Sequence, residues 1–152
     1  MIKDRNEVYF EAACHCGAVR YAVNAYPVDA KICHCTNCQT VHGAPMQWAA
    51  IFNKTDVVFL RGERHLKFYN TALKTTDRTL PCKVACQSCG TWIADDGRRM
   101  WLAFPTLFDF SSVDKLPQAF MPTCHIFYEE RVIDMNDALP KWSGHKNKSE
   151  QL

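Results

Sequence analysis

Along most of the chain, apolar and polar positions alternate with a period of two. In GAVRYAVNA, Val19, Tyr21 and Val23 face one way and Ala18, Arg20 and Ala22 the other. MQWAAIF, VVFL, LKFYN, WIA, MWLAF and HIFYEE are short, rich in β-branched or aromatic residues and bounded by turn residues. Each therefore predicts a strand. Gly62 in RGER, between VVFL and LKFY, predicts a hairpin turn. Few windows carry a helical stripe. The best are NCQTVHG, good for a turn or two, and FDFSSVDKL, where Ser111 or Ser112 would cap a short helix. The pattern predicts a mainly β class: many short strands and few short helices.

At 152 residues, the chain suits one domain with a real core. No repeat or Ser/Gly/Pro-rich linker divides it, so a single domain is expected over 1–144. A polar tail follows over 145–152, with fraying expected from about Lys141. Trp48, Phe68, Tyr69, Trp92 and Trp101 are expected in the core, with one or two walling a pocket. The formal charge is +2, and Lys and Arg are scattered except in KWSGHKNKS, so no nucleic-acid footprint is visible. Apolar runs are interrupted by Asn53, Lys54 or Pro105 and none reaches membrane-span length. MIKDRNEVYF has no apolar segment of the secretory kind. The expected home is the reducing cytoplasm. Exposed β edges leave room for a homodimer.

That placement decides how nine cysteines are read. Their odd number and a reducing compartment argue against a disulfide framework. Metal is the better reading. Three clusters stand out: Cys14-His15-Cys16-Gly17, Cys33-His34-Cys35-x-x-Cys38, and Cys86-x-x-Cys89-Gly90. A C-x-x-C turn aims two thiolates at one metal, and a following Gly accepts the positive φ of such a knuckle. The two Gly-terminated pairs, Cys14/Cys16 and Cys86/Cys89, together close a tetrahedral, structural site. Cys33, Cys35 and Cys38 then hold a second metal with the fourth position open, the usual mark of catalytic zinc.

Cys82, Cys124, His34, His42 and His125 are each available to close that position. Cys82 and Cys124 lie in apolar stretches where a free Cys is commonly a small buried hydrophobe. His34, between two ligands, would more naturally point away. His42, four residues beyond Cys38, could serve as an acid or base near the open position. The plainer reading is a surface histidine. His125 reads either as a buried, hydrogen-bonded histidine or as a proton shuttle. Three thiolates with Zn²⁺ leave a net charge of −1, a poor setting for making hydroxide and a good one for a sulfur ligand. Such a site suits chemistry in which a small-molecule thiol adds to, or leaves from, an electrophilic carbon.

The order CHCG, CHCTNC and CQSCGT is similar to that of the glutathione-dependent formaldehyde-activating enzyme family, which includes the centromere protein V group. Sixteen residues separate Cys16 from Cys33, and forty-seven separate Cys38 from Cys86. CHIFYEE and DALPKWSG resemble the family's HIF strand and its D-x-LP-x-x-x-G ending, so the likeness runs from about Phe10 to Gly144. The resemblance implies a zinc-stapled β-tent fold with two zincs per chain. It matches Cys14, Cys16, Cys86 and Cys89 to the structural-zinc ligands, and Cys33, Cys35 and Cys38 to those of the catalytic zinc. The implied activity is that of a carbon–sulfur lyase or synthase joining formaldehyde to glutathione as S-hydroxymethylglutathione. Arg20, Lys31, Arg61, Arg64 and Arg78 are available for glutathione's carboxylates, although exposed charge is their default. Cys124 beside His125 is not a family hallmark. Two other readings stand beside this one: the same zinc chemistry on another small metabolite, or a binding module with both metals structural. A second site closed by a fourth protein ligand would favour the module.

Overall fold

The computed structural model describes residues 7–113 and 116–152. Strands β1 (Phe10–Ala13), β2 (Arg20–Val23) and β5 (Val57–Arg61) form a small sheet in the order β1-β2-β5. The remaining strands are β3 (Asp29–Cys33), β4 (Gln47–Asn53), β6 (Leu66–Tyr69), β7 (Cys82–Cys86), β8 (Trp92–Asp96), β9 (Met100–Ala103) and β10 (His125–Ile126). They form a seven-stranded sheet in the order β10-β3-β4-β9-β8-β7-β6. Only β10 and β3 pair in parallel. The mainly β class is as the period-two pattern predicts.

The core lies between the sheets. Val19, Tyr21 and Val23 are each at most 1% exposed, as their alternation predicts, and they face Phe52, Val84, Ala94 and Trp101 of the large sheet. Phe108 and Phe120, from the loops after β9, complete an aromatic cluster: Phe120 meets Phe10 edge-on at 5.7 Å and Phe108 stacks on Phe52 at 6.0 Å. Such pairs add about 0.5–1.5 kcal/mol beyond their buried area.

Because side chains alternate across a strand, the large sheet has a second, outer face. Along β3, Ala30 and Ile32 take the inner face, and Asp29, Lys31 and Cys33 the outer one. Register carries that outer face across the sheet. Asp29 lies opposite Ile51, Ile51 opposite Leu102, Leu102 opposite Asp95, and Asp95 opposite Lys83. The single α-helix among the described residues, α1 (Thr36–His42), follows Cys33 directly. It starts at the Cys35 cap and ends at Gly43 in the left-handed region, close to the NCQTVHG expectation.

Four expectations need correction. Gly62 does turn the chain, with φ +79°, but β5 and β6 belong to different sheets, so no hairpin forms. HIFYEE is a strand for two residues only, because Phe127 takes φ +52° and starts a 3-10 turn. FDFSSVDKL makes turns over its described part, with the Ser111 N–H donating to Asp109 and the Val113 N–H to Phe110. Positions 114 and 115 of that segment lie outside the described residues. The end of the chain is also not frayed. Trp142 pairs with Gln151, the Ser143 N–H donates to Glu150 O at 2.8 Å, and Lys146 forms an ion pair with Asp29 at 3.0 Å. Residues 140–142 cover the free edge of β10, where an unpaired strand would invite association.

Gly62 also sits against the small sheet. A Cβ there would strike the Ala18 carbonyl oxygen and lie 2.9 Å from Val19 Cα. Gly62→Ala is therefore expected to lower stability by about 2–4 kcal/mol, read by chemical denaturation. An unchanged midpoint would contradict the close approach.

Candidate metal centres

Two knuckles build the first centre. At the end of β1, the Gly17 N–H donates to Cys14 O at 3.1 Å with Gly17 at φ +80°. At the end of β7, the Gly90 N–H donates to Cys86 O at 3.0 Å with Gly90 at φ +77°. Both glycines supply the left-handed backbone that closes the turn without a Cβ penalty. The His15 N–H donates to the Thr91 hydroxyl at 3.1 Å and locks one knuckle to the other. The sulfurs of Cys14, Cys16, Cys86 and Cys89 then lie within 4.8 Å of one another. Cys14 and Cys16 stand 3.7 Å apart, and Cys16 and Cys86 3.8 Å. Zinc–sulfur bonds of about 2.3 Å put the corners of a tetrahedron about 3.8 Å apart. The set fits zinc, and it ties the small sheet to the large one.

The second centre is more local. Cys33 ends β3, Cys35 caps α1, and Cys38 lies in its first turn. The Cys38 N–H donates to Cys35 Sγ at 3.3 Å, and Cys33 and Cys38 sulfurs stand 3.6 Å apart. All three sulfurs lie within 4.8 Å of one another. Hydrogen bonds from Cys33 and Cys38 hold the Cys35 thiol well below the usual thiol range, with a smaller pull from Lys83. This donor set also suits a soft cation. Among the described residues, no fourth Cys, His, Asp or Glu joins it.

None of the five candidates for that fourth place joins the cluster. Cys82 lies opposite Asp96 and borders the same pocket as Cys38, and Cys124 is fully buried just before β10. His34 points away, as expected, with Nε2 2.8 Å from Nδ1 of His125. His125 Nε2 in turn donates to Asp137 Oδ2 at 2.8 Å. Both histidines are fully buried. Burial would raise the Asp137 carboxyl, but hydrogen bonds from His125 and Lys141 hold it down to about 2. A carboxylate only accepts, so His125 carries a proton on Nε2. His34 Nδ1 is buried with no protein partner among the described residues. Burial, followed by the His125 field, pushes His34 down to about 4, so it is neutral at pH 7.

His42 is not a surface histidine. Its ring packs edge-on against Phe104 at 5.1 Å and Trp92 at 5.7 Å. Burial, then the Lys83 charge, pushes it down to about 4.

Lys83 is the residue that motif reading missed. It is 6% exposed and lies on the outer face of β7. Its ammonium forms an ion pair with Asp95 Oδ1 at 2.8 Å and hydrogen bonds with His42 Nε2 at 3.2 Å and Cys38 Sγ at 3.5 Å. Burial alone would lower its pKa, but Asp95 and Cys38 outweigh that and raise it. It is a buried, fully paired cation touching a candidate metal ligand. The available signal was one lysine inside an otherwise apolar strand leading into C-x-x-C. Cys35, Cys38, Lys83, Asp95 and Leu102 border a pocket of about 240 Å³. Of the five cations considered for carboxylates, Arg20 pairs with Glu11 and Arg78 with Asp96. Arg61 stands on the small sheet opposite Arg20, and Arg64 in the turn after it. Lys31 alone shares a strand face with Cys33.

Residues 9–130 match the family described as glutathione-dependent formaldehyde-activating enzyme. The chain belongs to that family. The match takes in all seven cysteines of the two centres, with Lys83 and Asp95. No curated protein matches the chain. A crystal structure of a Rhodobacter sphaeroides protein is similar in fold, with a TM-score of 0.51 at 21% identity. The likeness covers 71% of this chain and 91% of that one. No helix among the described residues is long and apolar enough to cross a membrane.

Replacing the buried cation and its partner together, Lys83→Met with Asp95→Asn, removes a charge without stranding its counter-charge. The fold is expected to persist, while zinc at the Cys33–Cys35–Cys38 centre weakens about 10–100-fold, as loss of a ligand's supporting partner does. Competition with a graded chelator series reads this. Unchanged retention of both metals would show that Lys83 is only a core residue.

Proposed function

We propose that the chain is a zinc-dependent carbon–sulfur lyase or synthase acting on a small thiol and a small carbonyl compound. The observation that carries this is the contrast between the two centres. Four thiols close the first around itself, whereas Cys35 and Cys38 of the second border a pocket that also holds a buried ammonium. In this reading Cys14, Cys16, Cys86 and Cys89 are structural, and Cys33, Cys35 and Cys38 serve the reaction. A zinc ion bound there would supply a soft, thiolate-stabilising cation.

The chain's own residues do the rest. Lys83 offsets negative charge beside the sulfurs, and Asp95 and His42 hold its ammonium in one place. Preorganised charge of this kind favours both an ionised thiol and the oxygen anion that forms when sulfur adds to a carbonyl carbon. In the forward direction one carbon–sulfur bond forms, the carbonyl π bond opens onto oxygen, and the thiol proton ends on that oxygen. No oxidant or reductant is needed. The family's name supports glutathione as the thiol and formaldehyde as the carbonyl partner. The pocket's small size suits a one-carbon electrophile.

Zinc content and X-ray absorption at the zinc edge, with and without glutathione, test the open site. Two zincs per chain are expected, with an average sulfur coordination of about three and a half that rises on adding glutathione. An average of about four, unmoved by any thiol, would instead mark a binding module with both metals structural.

Two substitutions separate the centres. Cys35→Ser should abolish formation of S-hydroxymethylglutathione from formaldehyde and glutathione, followed by NMR exchange, yet spare the fold. Serine is itself a strong helix cap and can still accept from the Cys38 N–H. Cys89→Ser should lose one zinc and unfold or aggregate, because a structural metal is part of the folding free energy. A collapsed Cys35→Ser, or a fully stable Cys89→Ser, would reverse the assignment.

A further inference from the structure

The outer face of the large sheet continues beyond the three-thiol centre. Leu102 borders the pocket beside Cys38, and Ile51, its neighbour in register, borders a second cavity of about 270 Å³. Adjacent strands lie about 4.8 Å apart, so the two cavities are neighbours on one surface. The second cavity is walled by Asp29 and Lys31 of β3 and by His145, Lys146 and Lys148 of the C-terminal segment. These last three fall outside the residues that match the family.

Its charge is unbalanced. The one carboxylate, Asp29, is already engaged: it accepts from Lys146 at 3.0 Å, from the Thr123 hydroxyl at 2.6 Å and from the Ala30 N–H at 2.9 Å. Lys31 and Lys148 form no ion pair among the described residues. Burial lowers the His145 pKa first, and the fields of Lys31 and Lys148 lower it further. Lys31 is also felt at Asp95, and Cys35 at His145, so the two cavities share one electrostatic field.

Distance gives the positive end a role. Lys31 stands two residues before Cys33 on the same face, about 7 Å along the strand. An extended peptide of two residues spans about the same length. We propose that Lys31 and Lys148, with the His145 ring beside them, form an anion subsite for a carboxylate that the thiol substrate carries one or two peptide units from its sulfur. The C-terminal segment would then be part of the substrate site. This rests on the reading of the Cys33–Cys35–Cys38 centre as the thiol-accepting one.

The test uses the full, zinc-loaded chain and two readouts. Calorimetric titration with S-methylglutathione, which has the carboxylates and no free thiol, should give a Kd weakened roughly tenfold by Lys31→Ala and by Lys148→Ala, charge-assisted pairs being the strong ones. Lys148→Glu should weaken it further. In the formaldehyde reaction, both alanine variants should raise KM for glutathione while leaving kcat, and KM for neutral 2-mercaptoethanol, unchanged. Equal S-methylglutathione affinity in wild type and variants would overturn the subsite, as would a KM that rises equally for both thiols. Lysine-dependent binding without turnover of either thiol would uphold the subsite and sink the proposed reaction, so the two failures are distinguishable.

Discussion

Seven thiols packed into two groups, each compact enough to hold one cation, are the constraint around which this molecule is arranged. Thiolates that close repel one another unless positive charge stands among them. The first group meets that need while joining distant parts of the chain, since Cys14 and Cys16 follow β1 and Cys86 and Cys89 follow β7. It fastens the small sheet to the large one. For a domain of many short strands, a metal held there would supply folding free energy that modest strand pairing lacks.

The second group is supported differently. Its sulfurs come from one strand end, one helix cap and one helical turn, so its geometry is set within six residues. Its electrostatic support comes from forty-five residues away in sequence, where Lys83 reaches Cys38 across the sheet. The lysine is bearable in a buried place because it has an ion pair with Asp95 and hydrogen bonds with His42 and Cys38. Asp95 carries most of the compensation. A buried ion pair of this kind stabilises little by itself. What it provides is a fixed positive charge beside sulfur, at a point from which water is largely excluded.

The loop that carries Cys33, His34 and Cys35 is held from behind. His34 is hydrogen-bonded to His125, and His125 donates to Asp137, so the loop is bound to the C-terminal part of the chain through two fully buried rings. Gln39 adds to this by donating to the carbonyls of His34 and Glu130 at 2.6 and 2.9 Å. The last ten residues close onto the same side of the sheet and bring Lys146 and Lys148 to its outer face. The chain's final segment is thereby structural in one respect and electrostatic in another.

Much of this was legible in the sequence for a local reason. Knuckle spacing, the glycine after it and the cap of α1 are each encoded within a few residues, and strand alternation within a strand. From these follow the mainly β class, the split into four and three thiols, and the inward turn of Val19, Tyr21 and Val23. Tertiary structure alone decided which strands share a sheet, and with that the fate of Gly62, whose flanking strands diverge. It decided that Lys83 faces Cys38 and that Asp137 completes a histidine chain. It also folded a polar tail that composition read as loose. These partners meet through register across the sheet, and register depends on which face each strand buries against the rest. No short window of sequence contains that information.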